Sequence, residues 1–352
     1  MQSGANAELK GAILGCGSIS EFHLRGWQRI PEVEIVALGD TLVERAHARR
    51  DAFAPKALAC RSLSEILDLT KPDFVEILTP PRLHYAHCLE AFQAGIHVIC
   101  QKPLCGTLQN ARDLATRALG ARGLFMVHEN HRYRPWFRTI LERIREADFG
   151  ALRWMRLFQH DPGEPAEEFK TRAPQGILFE YGSHLVDMMR AALGEPKSVR
   201  VTLCSLNPKV RGESLAFAAY QYSGATAVID IAWKPLGIQE GGLLLEGEEG
   251  SALYEGTMTR GDTARFRVFR RGAVELDQTR NPREDYLESF WALQREFVDA
   301  MLLGGQITQT AAEHLRTLEA LFAAYRAAEL GREVAVERQD PGVQPAASSP
   351  ES

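Results

Sequence analysis

The sequence of 352 residues predicts an α/β fold with two domains, a doubly wound parallel sheet of the Rossmann type followed by a domain rich in strands. Three observations predict it. Strand-like and helix-like segments alternate over residues 10–127, as in parallel sheets that helices cover on both faces. A glycine turn, Gly15-Cys16-Gly17, joins the first strand to the first helix. Beyond residue 150, short apolar runs separated by Gly and Pro outnumber long helical patterns.

The glycine turn has the surroundings that a nucleotide-binding loop requires. Residues 10–14 are a short apolar run suited to a buried parallel strand, and residues 18–30 carry apolar side chains at helical spacing. Glycine at 15 and 17 lets the backbone turn tightly and approach a pyrophosphate, which the helix N-terminus would then bind. The third glycine of the usual fingerprint is replaced by Ser20, which is still small enough for close helix packing.

The second strand, residues 34–39, ends at Asp40, roughly 20 residues after the glycine turn. An acid at this distance binds the 2′-hydroxyl of an adenosine ribose. A carboxylate would repel a 2′-phosphate, and Thr41 supplies no positive charge, so NAD is favoured over NADP. The alternative is an ordinary turn aspartate without a ligand. The cofactor-binding residues predicted from this unit are Gly15, Gly17, Ser18, Ile19 and Asp40.

The remaining N-terminal elements continue the alternation. Strands are predicted at residues 73–79, 96–100 and 124–127, and helices at residues 83–94, closed by Gly95, and 107–119, capped by Thr107. Ligands of such sheets bind beyond the carboxyl ends of the strands. The polar and glycine residues that would meet at this edge are Gly15, Asp40, Thr79, Lys102 and His128.

Composition excludes several classes of partner. The net charge is −5, from 41 basic and 46 acidic residues, so no basic field for nucleic acid is present. No stretch approaches the roughly 20 apolar residues that span a bilayer. The first nine residues have neither a basic start nor an apolar core, so no secretion signal is predicted and a cytoplasmic location is expected.

The cysteines are predicted to be reduced and structural. There are six, without a CxxC pair, in a chain too long to need disulfide bonds for stability. Cys16 in the glycine turn and Cys105 after Lys102 are the two candidates for reactivity, although a small apolar filler is the simpler role for both.

Four further motifs, in order and spacing, resemble a known family. They are Thr79-Pro-Pro-Arg-Leu-His84, Gly95-Ile-His-Val-Ile-Cys-Gln-Lys-Pro103, Glu180-Tyr-Gly-Ser-His-Leu-Val-Asp187 and the closing Glu329-Leu-Gly-Arg-Glu-Val334. With Ala12-Ile-Leu-Gly-Cys-Gly17, they make nearly the whole chain similar to the glucose-fructose oxidoreductase, inositol dehydrogenase and MocA (Gfo/Idh/MocA) family. Two positions depart from its pattern, since Gln101 replaces the usual Glu before Lys-Pro and Glu180 replaces the usual Asp four residues before His184.

The resemblance implies a domain plan. A dinucleotide domain over residues 1–128 would precede an α+β domain over residues 129–338, built on a large, open, mainly antiparallel sheet. Residues 186–193 and the C-terminal helices would cover one face, and the other would join copies into a homodimer or homotetramer. Residues 339–352, rich in Pro, Ala and Ser, are expected to be disordered. The runs that fit strands of this sheet are residues 152–158, 198–204, 216–222, 225–233, 243–246 and 266–269.

The resemblance also implies a dehydrogenase that oxidises a secondary hydroxyl of a sugar, cyclitol or sugar derivative with NAD. Lys102 would reach the nicotinamide and hold the reacting oxygen, with His184 as the proton acceptor. Glu180 precedes His184 by four residues and would share its helical face. The alternative is an exposed i,i+4 pair, but Gly176, Gly182 and the apolar residues 177–179 favour a cleft. A loop of Thr79, Pro80 and His84 would pack on the dinucleotide, unless His84 only starts the next helix.

The substrate-binding candidates are weaker. Asn130, Arg132 and Tyr133 follow the last strand of the first domain and would serve equally well as structural groups between the domains. The full set of candidates is Asn130, Arg132, Tyr133, Arg172, Asp187 and Trp233, with Asp187 also able to orient the His184 ring. The run His128-Glu129-Asn130-His131 invites a metal interpretation, but adjacent strand positions point in opposite directions and the i,i+4 histidines of a helical zinc site are lacking, so no metal is expected.

Two structural expectations follow from the departures. Gln101 should face away from the reacting atoms because neighbours on a strand point to opposite faces. The extra methylene of Glu180 moves its carboxylate by more than an ångström, which indicates a different substrate. A cis peptide bond at Lys102-Pro103 is also expected from the resemblance.

Two other functions remain open from the sequence. One is an NAD-dependent glycosidase or epimerase-like enzyme that oxidises its substrate transiently. The other is a regulator that senses a dinucleotide or a sugar without turnover, against which the presence of both Lys102 and His184 speaks.

Overall fold

A six-stranded parallel sheet forms the first domain in the computed structural model, which describes residues 9–163, 168–234 and 237–342. The strand order is β3-β2-β1-β4-β5-β6, with all pairs parallel. This confirms the predicted doubly wound sheet. The strands are β1 Leu9–Leu14, β2 Val33–Gly39, β3 Leu58–Cys60, β4 Phe74–Ile77, β5 His97–Gln101 and β6 Phe125–His128.

Helices cover both faces of this sheet, and two of them have an end at a residue that the sequence predicted. The Thr107 hydroxyl caps a helix by accepting a hydrogen bond from the Asn110 amide at 3.2 Å, and Gly95 ends another with φ of 73°. Both predicted caps are confirmed. The helices are α1 Ser20–Trp27, α2 Val43–Phe53, α3 Leu63–Thr70, α4 Pro81–Ala94 and α5 Leu108–Ala118.

The second domain is built on a nine-stranded sheet of order β14-β13-β12-β11-β7-β10-β9-β8-β15. Its pairs are antiparallel except β7 with β10, which confirms the mainly antiparallel sheet. The strands are β7 Leu152–Pro162, β8 Ser198–Cys204, β9 Leu215–Gln221, β10 Thr226–Lys234, β11 Glu240–Gly247, β12 Gly250–Glu255, β13 Ala264–Arg270, β14 Ala273–Arg280 and β15 Val334–Ala335.

One face of the second sheet is covered by helices. A short 3-10 helix, His131–Tyr133, links the domains; it is followed by α6 Pro135–Arg145, α7 Glu168–Arg172, α8 Ile177–Glu180, α9 Gly182–Leu193, α10 Pro282–Leu303 and α11 Ala311–Leu330. Helix α9 is buried over most of its length, and α11 lies on β8 and β9, where the Tyr220 hydroxyl donates to the Ala320 carbonyl. The opposite face carries the exposed ring of Phe217.

Helix α10 returns to the first domain. It packs on α1, and the Gln294 amide donates to the His23 carbonyl at 3.2 Å. The stretch between α10 and α11 extends the first sheet at β6, because the Val127 amide donates to the Gln309 carbonyl at 2.8 Å. The two sheets lie within the predicted ranges 1–128 and 129–338, but the C-terminal helices tie them together.

Sequence patterns did not predict four of the strands, which are β3, β12, β14 and β15. Strand β14 is exposed along almost its whole length at the edge of the sheet. Strand β12 is a short run that begins at Gly250. Of the tail expected to be disordered, residues 339–342 are attached to the domain, with Asp340 paired to Arg316 at 2.8 Å, and residues 343–352 lie outside the described part.

None of the helices in the described ranges is both long enough and apolar enough to cross a membrane.

Candidate active site

The turn between β1 and α1 contains two glycines, and a side chain would be excluded from them for different reasons. Gly15 has φ of +105°, and a Cβ there would lie 2.7 Å from the carbonyl carbon of Leu78. A Cβ at Gly17 would meet no protein atom within 4 Å, so that side of the turn is open to a ligand. Ser20 is fully buried and its hydroxyl donates to the Gly17 carbonyl at 2.6 Å, which confirms the close packing expected at this position.

Asp40 follows β2 beside this turn and fixes its shape. Its Oδ2 accepts from the Cys16 amide at 2.9 Å, and its Oδ1 accepts from the Leu42 amide at 2.9 Å. The guanidinium of Arg49 donates to the Gly17 carbonyl at 3.3 Å, a neighbour of the turn that sequence reasoning missed. The open side of Gly17, the start of α1 after Ser18 and Ile19, and the acid at 40 together fit a dinucleotide.

The two cysteines singled out for reactivity are buried. Burial raises the pKa of the Cys16 thiol to about 12, with the Asp40 carboxylate adding to the effect. Burial also raises the pKa of the Cys105 thiol far above its ordinary value. Neither forms a thiolate near neutral pH, which favours the structural role.

His84 ties together the two loops that follow β4 and β5. Its Nε2 lies 2.6 Å from the Thr79 carbonyl oxygen and its Nδ1 lies 3.0 Å from the Pro103 carbonyl oxygen. Burial lowers the pKa of His84 to about 4, so the ring is neutral and donates to one of the two oxygens. Pro80 precedes α4 directly, and the Thr79 hydroxyl contacts His87 Nδ1 at 3.1 Å. His84 therefore holds this loop from inside the protein.

Lys102 reaches from the end of β5 to the second domain. Its Nζ donates to the Glu180 carbonyl at 2.6 Å and lies 3.4 Å from Glu180 Oε1. The side chain is only 10% exposed. The Lys102-Pro103 peptide bond is cis, as expected. The structure thus brings together the predicted Lys102 and Glu180.

Glu180 lies between two lysines at the end of α8. Lys170 Nζ lies 3.0 Å from its Oε1, in addition to Lys102. Burial alone would raise the pKa of the Glu180 carboxyl, but the two ammonium groups hold that pKa down to about 2. Glu180 is therefore a permanent anion, and Lys170 is a member of the site that sequence reasoning missed.

His184, on α9, is paired with a carboxylate that the sequence did not assign to it. Its Nδ1 lies 2.5 Å from Oε1 of Glu129, which directly follows β6. The His131 ring stacks on the His184 ring with centroids 3.8 Å apart and 5° between the planes. Glu180 and His184 lie on consecutive helices, α8 and α9, rather than on one helical face. The signal for Glu129 is the run His128-Glu129-Asn130-His131, whose composition suggested only a metal.

Burial sets the protonation of this pair. It lowers the pKa of His184 well below its ordinary value, and the nearby Lys102 charge lowers it further. Burial raises the pKa of Glu129 to about 7, against the opposing charges of Lys102 and Arg132. Above about pH 7, the stable arrangement is a neutral imidazole that donates its Nδ1–H to an ionised Glu129.

Several of the substrate-binding candidates are buried at the junction between the two domains. Arg132 and Asp187 form a buried ion pair, with Nε to Oδ2 at 2.6 Å, so Asp187 does not orient His184. The Asn130 amide donates to the Ser289 hydroxyl at 2.7 Å, and the Tyr133 hydroxyl donates to Glu296 Oε2 at 2.9 Å. These partners match the structural alternative, because the polar groups of the side chains are already used within the protein.

The last two candidates differ in exposure. Trp233 is buried near the end of β10, and Arg172 is exposed at the end of α7. Their role in substrate binding stays a prediction.

One buried cluster in the described ranges has the composition of a metal site. His23, Glu76 and His128 place their possible ligand atoms within 4.8 Å of one another. The atoms of the first two are already engaged, since His23 Nδ1 lies 2.7 Å from Glu76 Oε1 and Trp27 Nε1 donates to Glu76 Oε2 at 2.6 Å. His128 faces this cluster, whereas Glu129 faces His184, as the alternation along the strand requires. The absence of a metal stays a prediction.

Models of two protein-family domains match the chain. Residues 9–129 match the domain described as "Oxidoreductase family, NAD-binding Rossmann fold". Residues 137–253 match the one described as "GFO/IDH/MocA C-terminal domain".

Relatives and solved structures are similar over almost the whole length. The D-apiose dehydrogenase of Paraburkholderia graminis is 29% identical over 339 residues, which cover 92% of this chain and 89% of the relative. Inositol 2-dehydrogenase of Rhizobium meliloti is 24% identical over 340 residues, which cover 92% of this chain and 98% of the relative. An oxidoreductase from Agrobacterium radiobacter, solved with NAD+, L-tartaric acid and magnesium, has a TM-score of 0.83 at 24% identity. The match covers 94% of this chain and 98% of that structure's chain. Levoglucosan dehydrogenase, solved with NADH and L-sorbose, has a TM-score of 0.81 at 19% identity. The match covers 94% of this chain and 99% of that structure's chain.

Proposed function

The chain belongs to the Gfo/Idh/MocA family of NAD-binding oxidoreductases, and on that premise we propose that it oxidises a secondary hydroxyl of a sugar, cyclitol or sugar derivative. The observation that carries the proposal is the convergence of Lys102, Glu180 and the Glu129-paired His184 at the carboxyl edge of the first sheet. Relatives named for D-apiose and inositol support the substrate class.

NAD, when bound, supplies the acceptor for the hydride that leaves the carbinol carbon. The residues that would hold it are Gly15 and Gly17, the backbone of Ser18 and Ile19, and the Asp40 carboxylate at the adenosine ribose. Asp40 would repel a 2′-phosphate, so NAD is preferred to NADP.

Lys102 holds the reacting oxygen. An ammonium has three N–H donors, and the Glu180 carbonyl and carboxylate take two of them. The third can donate to the substrate hydroxyl and stabilise the alkoxide that develops as hydride leaves. The Glu180 carboxylate holds this ammonium by charge, and Lys170 in turn pairs with that carboxylate, so little reorganisation is needed during the reaction.

His184 accepts the hydroxyl proton. Because its Nδ1–H donates to Glu129, its Nε2 carries the lone pair and can take a proton from the substrate. The low pKa caused by burial keeps the ring neutral beforehand. As the imidazolium forms, the Glu129 carboxylate lies against it and offsets the new charge.

The test is NADH formation, followed by absorbance, across a panel of pentoses, hexoses, cyclitols and sugar acids. We expect substrate-dependent NADH formation with at least one polyol, and lower activity with NADP. Sugar release from a glycoside without net NADH would contradict the proposal and indicate transient oxidation. Tight sugar binding without any turnover would indicate a regulator.

We also propose a cytoplasmic homodimer or homotetramer that associates through the outer face of the second sheet. Phe217 is 46% exposed on that face, opposite the face that α11 covers. Light scattering of the wild type and of Phe217→Lys tests this. A monomeric wild type would contradict it.

A further inference from the structure

A continuous line of buried hydrogen bonds leads from the first helix to the backbone of Lys102. Trp27 Nε1 donates to Glu76 Oε2 at 2.6 Å, and Glu76 Oε1 lies 2.7 Å from His23 Nδ1. His23 Nε2 lies 2.9 Å from Gln101 Nε2, and Gln101 Oε1 accepts from the Lys102 amide at 2.7 Å. Both His23 and Glu76 are fully buried.

One backbone amide determines every proton position in this line. The Lys102 N–H can only donate, so the Gln101 atom facing it must be the carbonyl oxygen. The Gln101 amide nitrogen then donates to His23 Nε2, which must carry a lone pair. The His23 proton is therefore on Nδ1 and is donated to Glu76, whose two oxygens both act as acceptors. Donors and acceptors match at each contact.

The match explains why glutamine fits at a position where the family pattern usually has glutamate. A second carboxylate at 101 would face the lone pair of His23 Nε2, since Glu76 already holds the proton of the ring. When the His23 ring carries a single proton, the identities of residues 76 and 101 are thus linked through it, and the contacts match if one residue is an acid and the other an amide.

We infer that Glu76, His23 and Gln101 act as a positioning relay that fixes the Lys102 backbone and so the direction of the Lys102 side chain. The inference rests on the proposed function, in which Lys102 holds the reacting oxygen. None of the three relay residues touches the substrate in this scheme. They act through the backbone amide of Lys102, directly after β5. A displacement of a catalytic group by about 1 Å can lower a catalytic rate on the order of a hundredfold.

The test exchanges the acid and the amide. In Glu76→Gln, the Trp27 N–H fixes the new amide so that it donates to His23 Nδ1, and the His23 proton moves to Nε2. That proton then meets the Gln101 amide group, and no flip of Gln101 removes the clash, because its nitrogen would then face the Lys102 N–H. In the double variant Glu76→Gln/Gln101→Glu, donors and acceptors match again at all four contacts.

We expect Glu76→Gln to lower the urea midpoint of unfolding and to lower kcat on the order of tenfold, with the Kd for NAD unchanged within about twofold. The double variant should recover both quantities. The matched control is Glu76→Gln/Gln93→Glu, which adds the same charge at an exposed position of α4 and should recover neither.

The outcomes separate the relay from the proposed function. If adding Gln101→Glu to Glu76→Gln does not restore the urea midpoint of unfolding, the relay is wrong, whether or not the wild type turns over a polyol. If the midpoint recovers but kcat never fell in Glu76→Gln, the line of bonds is structural and its positioning role is wrong. A stoichiometric metal in the purified protein, whose removal lowers the midpoint, would show that His23, Glu76 and His128 bind an ion instead. An inactive wild type with a recovered midpoint would contradict only the proposed function.

Discussion

His184 Nδ1 lies 2.5 Å from Oε1 of Glu129, and this contact joins an element of the first sheet to a helix of the second domain. Glu129 follows the last strand of the first sheet, and His184 lies in the buried helix α9 under the second. The proposed proton acceptor is therefore complete only when these two parts of the chain are docked.

The pH dependence of alcohol oxidation should report Glu129. Burial raises its pKa to about 7, and His184 Nε2 is free to accept a proton only when Glu129 is ionised. We therefore expect kcat for oxidation to be maximal above pH 7 and to fall as the pH is lowered through about 7. In Glu129→Gln, this step should disappear from the kcat profile, at a maximal rate reduced about 10- to 100-fold. An unchanged step in the variant would assign the ionisation to another group.

Replacement of Lys102 separates catalysis from binding. Lys102→Ala removes the donor to the developing alkoxide, so kcat should fall by about 10²- to 10³-fold, while the Kd for NAD stays within about twofold. Lys197→Ala, at an exposed lysine, is the control and should have no effect. If turnover survives in Lys102→Ala, the lysine is structural.

The two glycines of the turn give a matched pair for stability and cofactor binding. Gly15→Ala places a Cβ 2.7 Å from the Leu78 carbonyl carbon at φ of +105°, and should lower the free energy of unfolding by about 2–5 kcal/mol. Gly17→Ala meets no protein atom within 4 Å, so its unfolding free energy should change by less than about 1 kcal/mol while NAD affinity falls. Calorimetry and NAD titration measure both. Equal destabilisation by the two variants would contradict this assignment.

Cofactor preference should depend on the charge of Asp40. Asp40→Asn keeps one acceptor for the amides of Cys16 and Leu42 but removes the negative charge. NAD affinity is expected to fall about 10- to 100-fold, since a hydrogen bond to a charged group contributes about 1.5–3 kcal/mol. The ratio of kcat/KM for NADP to that for NAD should rise. A constant ratio would place the ribose away from residue 40.

The sequence alone determined the fold class and the cofactor loop, because these depend on patterns and contacts between near neighbours in the chain. The Gly15 turn, the cap at Thr107 and the stop at Gly95 were all predicted from local steric and hydrogen-bonding rules. The cis bond before Pro103 came from the family resemblance. Strand β14, at the exposed edge of the second sheet, was not predicted.

Only the tertiary structure decided which groups are partners in the site. Glu180 was expected beside His184, yet it pairs with Lys102 and Lys170, and Glu129 takes the histidine. Asp187 was expected to orient that ring, yet it neutralises Arg132. Each of these pairs joins residues from different elements, and a buried charge or ring nitrogen bonds whichever complementary group the docked domains bring within about 3 Å. Spacing along the chain fixes the residue types available, and domain docking selects the partners.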